Sequence, residues 1–240
     1  MPRFSVVIPA YNEAMLLPRL LDSLDLARRQ YAIPDAIEVI VGDNQSSDAT
    51  AAIAAARGCR VASIDKRVIA AARNGGAALA QGDILAFIDA DSSVHPQTFA
   101  AIDQTLASGR CVAGATGVTM ERWSVGIALT YACMLPTIWL TGMDTGVVFC
   151  RRADFEAIGG YDESRLLAED VMFLLALRRL GRARGHKLMR ARGAKAVTST
   201  RKFDEFGDWH YFGLLWQGLR HHLKGDLGSF ADRYWYKPRR

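Results

Sequence analysis

Ile84-Leu85-Ala86-Phe87-Ile88-Asp89-Ala90-Asp91 decides the reading of this chain. Five apolar residues give way at once to two carboxylates separated by one alanine. An uninterrupted apolar run of that length is the pattern of a buried strand in a sheet covered by helices. Open α/β sheets bind ligands beyond the carboxyl ends of their strands, and the acids fall there. Neighbouring carboxylate oxygens suit a divalent cation, Mg²⁺ or Mn²⁺, and such a cation in turn suits a diphosphate. Asp-x-Asp pairs are also common in solvated loops, so this one needs support from elsewhere in the chain.

On both sides of this strand the chain alternates. Phe4 to Ile8 and Ile37 to Val41 read as further strands, and Val61 to Ile64 as a weaker one. Leu16 to Arg29 carries leucines at 16, 17, 20, 21 and 24, one apolar stripe on a helical period. Ser47-Asp48 caps a helix through Arg57, with the acid at its positive end. Val68 to Ala80 is an alanine-rich helix stopped by Gly82, and Pro96 opens a helix to about Ala107. The alternation predicts an α/β fold, a doubly wound, mainly parallel central sheet flanked by helices. Further on, Cys111 to Met120 reads as a strand with glycines and Gly146 to Cys150 as a short buried one. Glu169 to Leu180 reads as a helix with Val171, Leu174, Leu175 and Leu177 on its apolar side. A longer aromatic helix is predicted over Asp204 to Leu223. With 240 residues, half of them hydrophobic, and neither repeat nor linker, a single domain is expected.

The four cysteines lack any C-x-x-C pairing and read as small core residues in a reducing compartment. The amino terminus enters a strand directly, so a cytoplasmic location is the expectation. A net charge of +5 is concentrated late, at Arg178-Arg179, Arg182 to Arg192 and Lys237 to Arg240. A basic exterior suits anionic lipid or a phosphorylated substrate, or is simply a solvated surface; no nucleic-acid partner is expected. Val125 to Leu140 is nearly uncharged, but it is shorter than a membrane span and Pro136 interrupts it. A buried or interface-lying helix is predicted there.

Four segments carry candidate chemistry. In Pro9-Ala10-Tyr11-Asn12-Glu13, the tyrosine can stack on a base or serve as a core aromatic, and Glu13 can accept from base or ribose. Asp43 ends a strand and can accept from a base N–H, whereas Asp48 reads first as a helix cap. Asp89-Ala90-Asp91 is the third. Glu169-Asp170, at a helix start, is the fourth; two acids there also complement a helix dipole with no catalytic role.

In this order the segments resemble the family 2 glycosyltransferases, which have the GT-A fold. Ile8 to Glu13 resembles that family's opening motif. Asp43-Asn44-Gln45-Ser46-Ser47-Asp48 is similar to its D-N-G-S-x-D segment, with Gln45 in place of the usual glycine. Ala72-Arg73-Asn74-Gly75-Gly76 through Gly82-Asp83 is similar to the helix leading into the D-x-D strand. Gly159-Gly160-Tyr161-Asp162-Glu163, followed by Ala168-Glu169-Asp170, resembles its G-G-[FY]-x-E and E-D pair. The likeness runs from about residue 4 to residue 182. Each motif is degenerate alone; their shared order and spacing are specific.

The resemblance implies one GT-A domain: a nucleotide-sugar-binding half to about residue 110, an acceptor-binding and catalytic half over 111–223, and a basic aromatic tail over 224–240. It implies a non-processive, inverting glycosyltransferase that moves a sugar from a UDP- or GDP-type donor to an acceptor hydroxyl. Asp91 is the implied ligand of Mn²⁺ or Mg²⁺, with Asp89 reaching metal or ribose. Asp170 is the implied base, with Glu169 beside it. Pro9, Ala10, Tyr11, Glu13, Asp43, Arg73, Asp89 and Ala90 are implied to hold the nucleotide. His210 is either a further metal ligand or a half-buried helix residue. Asp144, Gly146 and Lys202 are candidates on the acceptor or sugar side, and Arg201 with Lys202 for clamping the diphosphate. Gln217-Gly218-Leu219-Arg220-His221 lacks the tryptophan of processive members.

Two other functions fit parts of the pattern. A sugar-1-phosphate nucleotidyltransferase shares the sheet and the carboxylates, yet opens with a glycine-rich loop that Ile8 to Glu13 lacks. A non-catalytic nucleotide-sugar-binding module would not need Asp89, Asp91 and Asp170 together. The acceptor has two readings. Val125 to Leu140 forms an apolar wall or peripheral membrane contact for a lipid-linked acceptor, assisted by Tyr234 to Arg240 at the membrane inner face. Alternatively it is a purely structural helix beside a soluble acceptor.

Overall fold

The computed structural model describes residues 2–141, 143–165 and 168–213. The apolar runs of the first half become β1 (Phe4–Ala10), β2 (Ile37–Asp43), β3 (Arg60–Ser63) and β4 (Ile84–Phe87). Between them lie α1 (Leu17–Gln30), α2 (Thr50–Ala56) and α3 (Ile69–Ala78). β5 (Ser92–Ser93), α4 (Thr98–Ala107), β6 (Cys111–Ala115), β7 (Val118–Met120) and α5 (Val125–Thr141) follow. The chain then forms β8 (Val148–Arg151), α6 (Arg152–Ile158), α7 (Glu169–Ala183), β9 (Lys187–Arg190), β10 (Ala196–Thr198) and α8 (Arg201–Phe206).

Seven strands make one sheet in the order β3-β2-β1-β4-β8-β6-β9, with β8 alone antiparallel to its neighbours. Side chains alternate across it, as the period of a strand requires. Phe4, Val6 and Ile8 of β1 face Leu17, Leu20, Leu21 and Leu24 of α1, with Phe99 and Ile102 of α4 in the same layer. Val7 of β1 with Leu85 and Phe87 of β4 face Ala70 and Ala71 of α3 and Phe173, Leu174 and Leu177 of α7. Both faces are therefore covered, which is the doubly wound arrangement the sequence predicts. A second, three-stranded sheet, β5-β10-β7, sits beyond the carboxyl end of β4.

Four expectations are corrected. Residues 111–120 are two strands in two sheets, because Gly117 turns the chain at φ 79° between β6 and β7. The aromatic helix breaks at Gly207: α8 ends at Phe206 and helical turns resume only at 210–213. The remainder of that helix, the 217–221 motif and the tail lie outside the described residues. On α7 the buried stripe is Phe173, Leu174, Leu177 and Gly181, whereas Val171 is exposed. Cys111 and Cys150 are core residues, but Cys133 is exposed and Cys59 half-buried. No helix among the described residues is long and apolar enough to cross a membrane.

Gly42 controls how closely α3 approaches the sheet. A Cβ placed there would lie 2.2 Å from the Ala72 carbonyl oxygen. Backbone meets backbone at that point, so no side chain can give way. Gly42→Ala is expected to cost about 1–3 kcal/mol, the range of overpacking changes, measurable by denaturant titration. An unchanged midpoint would show that α3 is free to move away from β2.

Candidate functional site

β1, β2 and β4 end side by side, with Ala10 opposite Asp43 and Val7 opposite Phe87, so the loops that follow share one edge. Side chains knit the first two loops together. Asn12 N donates to Ser46 Oγ at 3.0 Å, and Ser47 N donates to Asn12 Oδ1 at 2.8 Å. Asp48 accepts from Thr50 N at the start of α2 and also from Ala14 N at 3.1 Å. Its role as a cap thus extends to fixing the loop that carries Tyr11 and Glu13. Among the described residues, three non-glycines have φ near +60°: Asn12, Gln45 and Ala168. Asn12 and Gln45 lie in the loops after β1 and β2, and Ala168 directly precedes Glu169 at the start of α7; such backbone strain concentrates at functional sites. Gln45 stands where the family pattern has glycine because that position needs φ 63°; its Nε2 donates to Asp65 O at 2.6 Å, a local compensation.

Arg73, on α3, is 4% exposed and joins three carboxylates from distant parts of the chain. Nη2 meets Asp89 Oδ1 at 3.0 Å, while Nη1 meets Glu169 Oε1 at 2.9 Å and Asp170 Oδ1 at 3.0 Å. Its guanidinium lies 5.1 Å over the Tyr161 ring, which stacks in turn on Phe173. Burial works against the charge of Arg73, but Asp170 and Asp89, with Glu169, hold its pKa well above the ordinary value. Glu169 is nearly enclosed, whereas Asp170 keeps a third of its side chain open. Burial pushes the Asp170 carboxyl up to about 6, against the pull of Arg73 and with repulsion from Asp89 and Glu169 added.

Asp91 is likewise raised to about 6, first by burial and then by repulsion from Asp89 and Glu13, while Arg201 and Lys202 pull it down. Asp89, by contrast, is exposed. Glu13 is held in a fork by Arg201, with Nη2 to Oε1 at 2.8 Å and Nη1 to Oε2 at 3.0 Å. Pro9, Ala10 and Ala90 are buried backbone positions around this edge. Asp43 is 8% exposed, and its buried Oδ1 has no hydrogen-bond partner among the described residues. Tyr11 is half-buried, with the Arg67 guanidinium 4.3 Å above its ring.

Residues 5–124 match the pattern described as "Glycosyl transferase family 2". The chain belongs to glycosyl transferase family 2. Curated relatives of this chain include the validoxylamine A glucosyltransferase of Streptomyces hygroscopicus subsp. jinggangensis, 41% identical over 109 residues. That match covers 40% of this chain and 24% of the relative, so the chain spans about a quarter of the length of the curated relatives it matches. Among solved structures, the mannosyltransferase PcManGT of Pyrobaculum calidifontis, in complex with GDP-Man and Mn²⁺, superposes with a TM-score of 0.64 at 22% identity, over 82% of this chain and 56% of that one. Glucosyl-3-phosphoglycerate synthase of Mycobacterium tuberculosis, with Mn²⁺ and UDP-glucose, gives 0.58 at 21%, over 86% and 74%. At such identities these likenesses establish the fold, which is GT-A.

The other predicted residues fall into three places. Lys202 lies near Asp91, close enough to lower its pKa. Asp144 is buried in an ion pair with Arg190 at 2.8 Å, and Gly146, at φ 99°, lets β8 start against Gly117, whose carbonyl a Cβ would meet at 2.3 Å. These contacts give both residues structural roles. His210 packs among Phe203, Phe206 and Tyr211, with Nδ1 2.7 Å from Gly207 O. No three His, Cys, Asp or Glu side chains among the described residues converge as a ready-made metal cage. The donor set still fits a hard cation: Asp89 and Asp91 offer carboxylate oxygens, and Asp91 carries a raised pKa that a cation would relieve. Sequence reading missed the convergence of Arg73 on Glu169 and Asp170, the Tyr161 platform and the placement of Arg67 over Tyr11. The Arg73-Asn74 pair within the alanine-rich helix was the available signal.

Asp170 titrates near 6 in the folded chain and near 4 when unfolded. The unfolded state therefore loses this proton first, so its contribution to stability is present below about pH 4 and lost as pH rises through 6. Between those limits the melting temperature of Asp170→Asn is expected to fall less, or rise more, than that of the wild type. Parallel melting curves for the two proteins would contradict the raised pKa.

Proposed function

We propose that this transferase moves a sugar from a UDP- or GDP-linked donor to an acceptor hydroxyl with inversion, in one displacement and with the help of a divalent cation. The observation that carries the reading is Asp170: a carboxylate with a raised pKa, open on one side and held by Arg73 on the other. The acceptor oxygen attacks the anomeric carbon from the face opposite the diphosphate as the bond to the diphosphate breaks. The acceptor proton passes to Asp170. A base whose pKa lies near 6 takes that proton better than an ordinary carboxylate while remaining ionised at neutral pH. Glu169, enclosed and bonded to Arg73, is assigned a supporting role: it helps hold the guanidinium that orients Asp170.

Asp89 and Asp91 are assigned to the cation, which supplies Lewis-acid stabilisation of charge on the departing diphosphate. The unpartnered Asp43 carboxylate oxygen accepts from an imide N–H, an edge that uracil and guanine both offer. Tyr11, with Arg67 stacked on one face of its ring, is assigned to the base, and Glu13 with Arg201 to ribose and phosphate. This division of labour needs no covalent intermediate.

Calorimetric titration of UDP and GDP, each with Mn²⁺ and with chelator, tests the donor half. One diphosphate is expected to bind only with metal, and Asp91→Ala to abolish that binding. Binding that is unaffected by chelator and by the substitution would overturn the metal assignment. For the transfer half, Asp170→Asn is expected to lower kcat by about 10²–10⁴-fold while donor binding persists. In the wild type kcat/KM is expected to fall as pH drops below about 6, where Asp170 takes up its proton. Retained turnover in the variant would remove Asp170 from the chemistry.

A further inference from the structure

The exposed residues of α5 include Val125, Ala128, Leu129, Ala132, Cys133 and Pro136. Steps of three and four place all six on one face of the helix, and that face carries no charge. From residue 124 to residue 143 the chain has no charged side chain at all. The other side of α5 is seated on the protein: Ile127 is fully buried, and a Cβ at Gly126 would stand 2.7 Å from Asp208 O. The helix thus lies along the surface with one apolar face turned outward. Its first turn is bordered by aromatics. Trp123, 51% exposed, packs edge-on against Tyr131, and Trp209, 56% exposed, follows Asp208 at the contact with Gly126.

We propose that this face docks on an anionic phospholipid bilayer. Tryptophans edging an apolar strip match the boundary between acyl chains and headgroups, where an indole buries its ring and keeps its N–H solvated. At 1.5 Å per residue α5 is about 26 Å long, is interrupted by Pro136 and is packed on the domain; it lies on a membrane rather than across one. Charge selects the lipid. The chain passes from Trp209 and Phe212, whose rings are in contact, into residues 214–240. That stretch holds Arg220, Lys224, Arg233, Lys237, Arg239 and Arg240 against only Asp226 and Asp232, together with Trp216 and Tyr234-Trp235-Tyr236. The excess of basic residues in that sequence, interspersed with aromatics, favours negatively charged headgroups. The proposal is independent of the transfer reaction, because it uses none of the residues assigned to that reaction and is measured without donor.

The test is sedimentation of the full chain with phosphatidylcholine vesicles that contain or lack phosphatidylglycerol, read together with tryptophan emission. Binding to the anionic vesicles with a blue shift is expected. Leu129→Glu, at an exposed position, is expected to lower the partition coefficient about tenfold with an unchanged circular dichroism spectrum. Val125→Ser serves as a second, milder variant and is expected to lower it less. No binding to either vesicle would overturn the proposal. So would equal binding by Leu129→Glu, which would assign attachment to the basic segment alone. Concentration-dependent self-association abolished by Leu129→Glu, without lipid binding, would make a second copy of the chain the occupant and overturn it equally.

Discussion

A guanidinium without solvent, shared among three carboxylates, is the interaction on which the site depends. Stripping water from Arg73 costs several kcal/mol by itself, and removing one partner of such a cluster leaves an uncompensated buried charge. Asp89 comes from the end of β4, Arg73 from α3 and Glu169-Asp170 from the start of α7. Only one arrangement of these three elements satisfies the group. The packing beneath it is equally demanding, since Gly42 lets α3 sit hard against β2 and Tyr161 is sandwiched between Arg73 and Phe173. Because the donors of an arginine point in fixed directions, the carboxylates are oriented before any ligand arrives. Such preorganisation lets fixed charges act in a reaction without reorganising first.

The same cluster makes the site unstable in a useful sense. Burial, with repulsion from Asp89 and Glu13 added, raises Asp91, and burial raises Asp170 as well. A fold optimised for stability would dilute these acids or pair each one. Here Arg73 and Arg201 compensate only part of the negative charge, and the backbone adds strain at Asn12, Gln45 and Ala168. Those costs are carried by a sheet covered on both faces, and they leave a region that a cation and a hydrogen-bonding ligand would relax. Stability surrendered locally in exchange for affinity is the usual balance at active sites.

The legible part of the molecule is the part whose signals are local. β1, β2 and β4 were readable because each is a largely apolar run, with Ser5 the polar break in β1 and Glu38 in β2, and α1 because its leucines recur on one period. Asp43, Asp89 and Asp91 were readable because strand ends are where such sheets place ligands. The second half resisted for physical reasons. Gly117 sends two adjoining apolar stretches into different sheets, and Gly207 breaks a helix whose aromatic period continues across it. Neither turn can be told by sequence alone from a glycine tolerated within an element. On α7, Phe173 and not Val171 turns inward because the Phe87, Phe155 and Tyr161 cluster waits there, a tertiary fact with no local trace. Likewise Arg73 and Asp170 are ninety-seven positions apart in numbering, and nothing short of the fold announces that they touch.

The small sheet explains how a chain that leaves the donor edge at Asp91 returns to it. β5 begins one residue after Asp91 and pairs antiparallel with β10, so Ser199, just beyond β10, can donate to the Asp91 carbonyl at 3.2 Å. Two residues later Arg201 starts α8 and forks onto Glu13, which belongs to the loop after β1. β1 is hydrogen-bonded to β4, and β4 leads back to Asp91. These links close a ring through the β1 loop, α8, β10, β5 and β4. Without the β5–β10 pairing, Arg201 would have no fixed approach to Glu13, and the repulsion between Glu13 and Asp91 would open the edge. A two-residue strand, too short to register in any sequence pattern, is therefore what holds the late part of the chain over the early part.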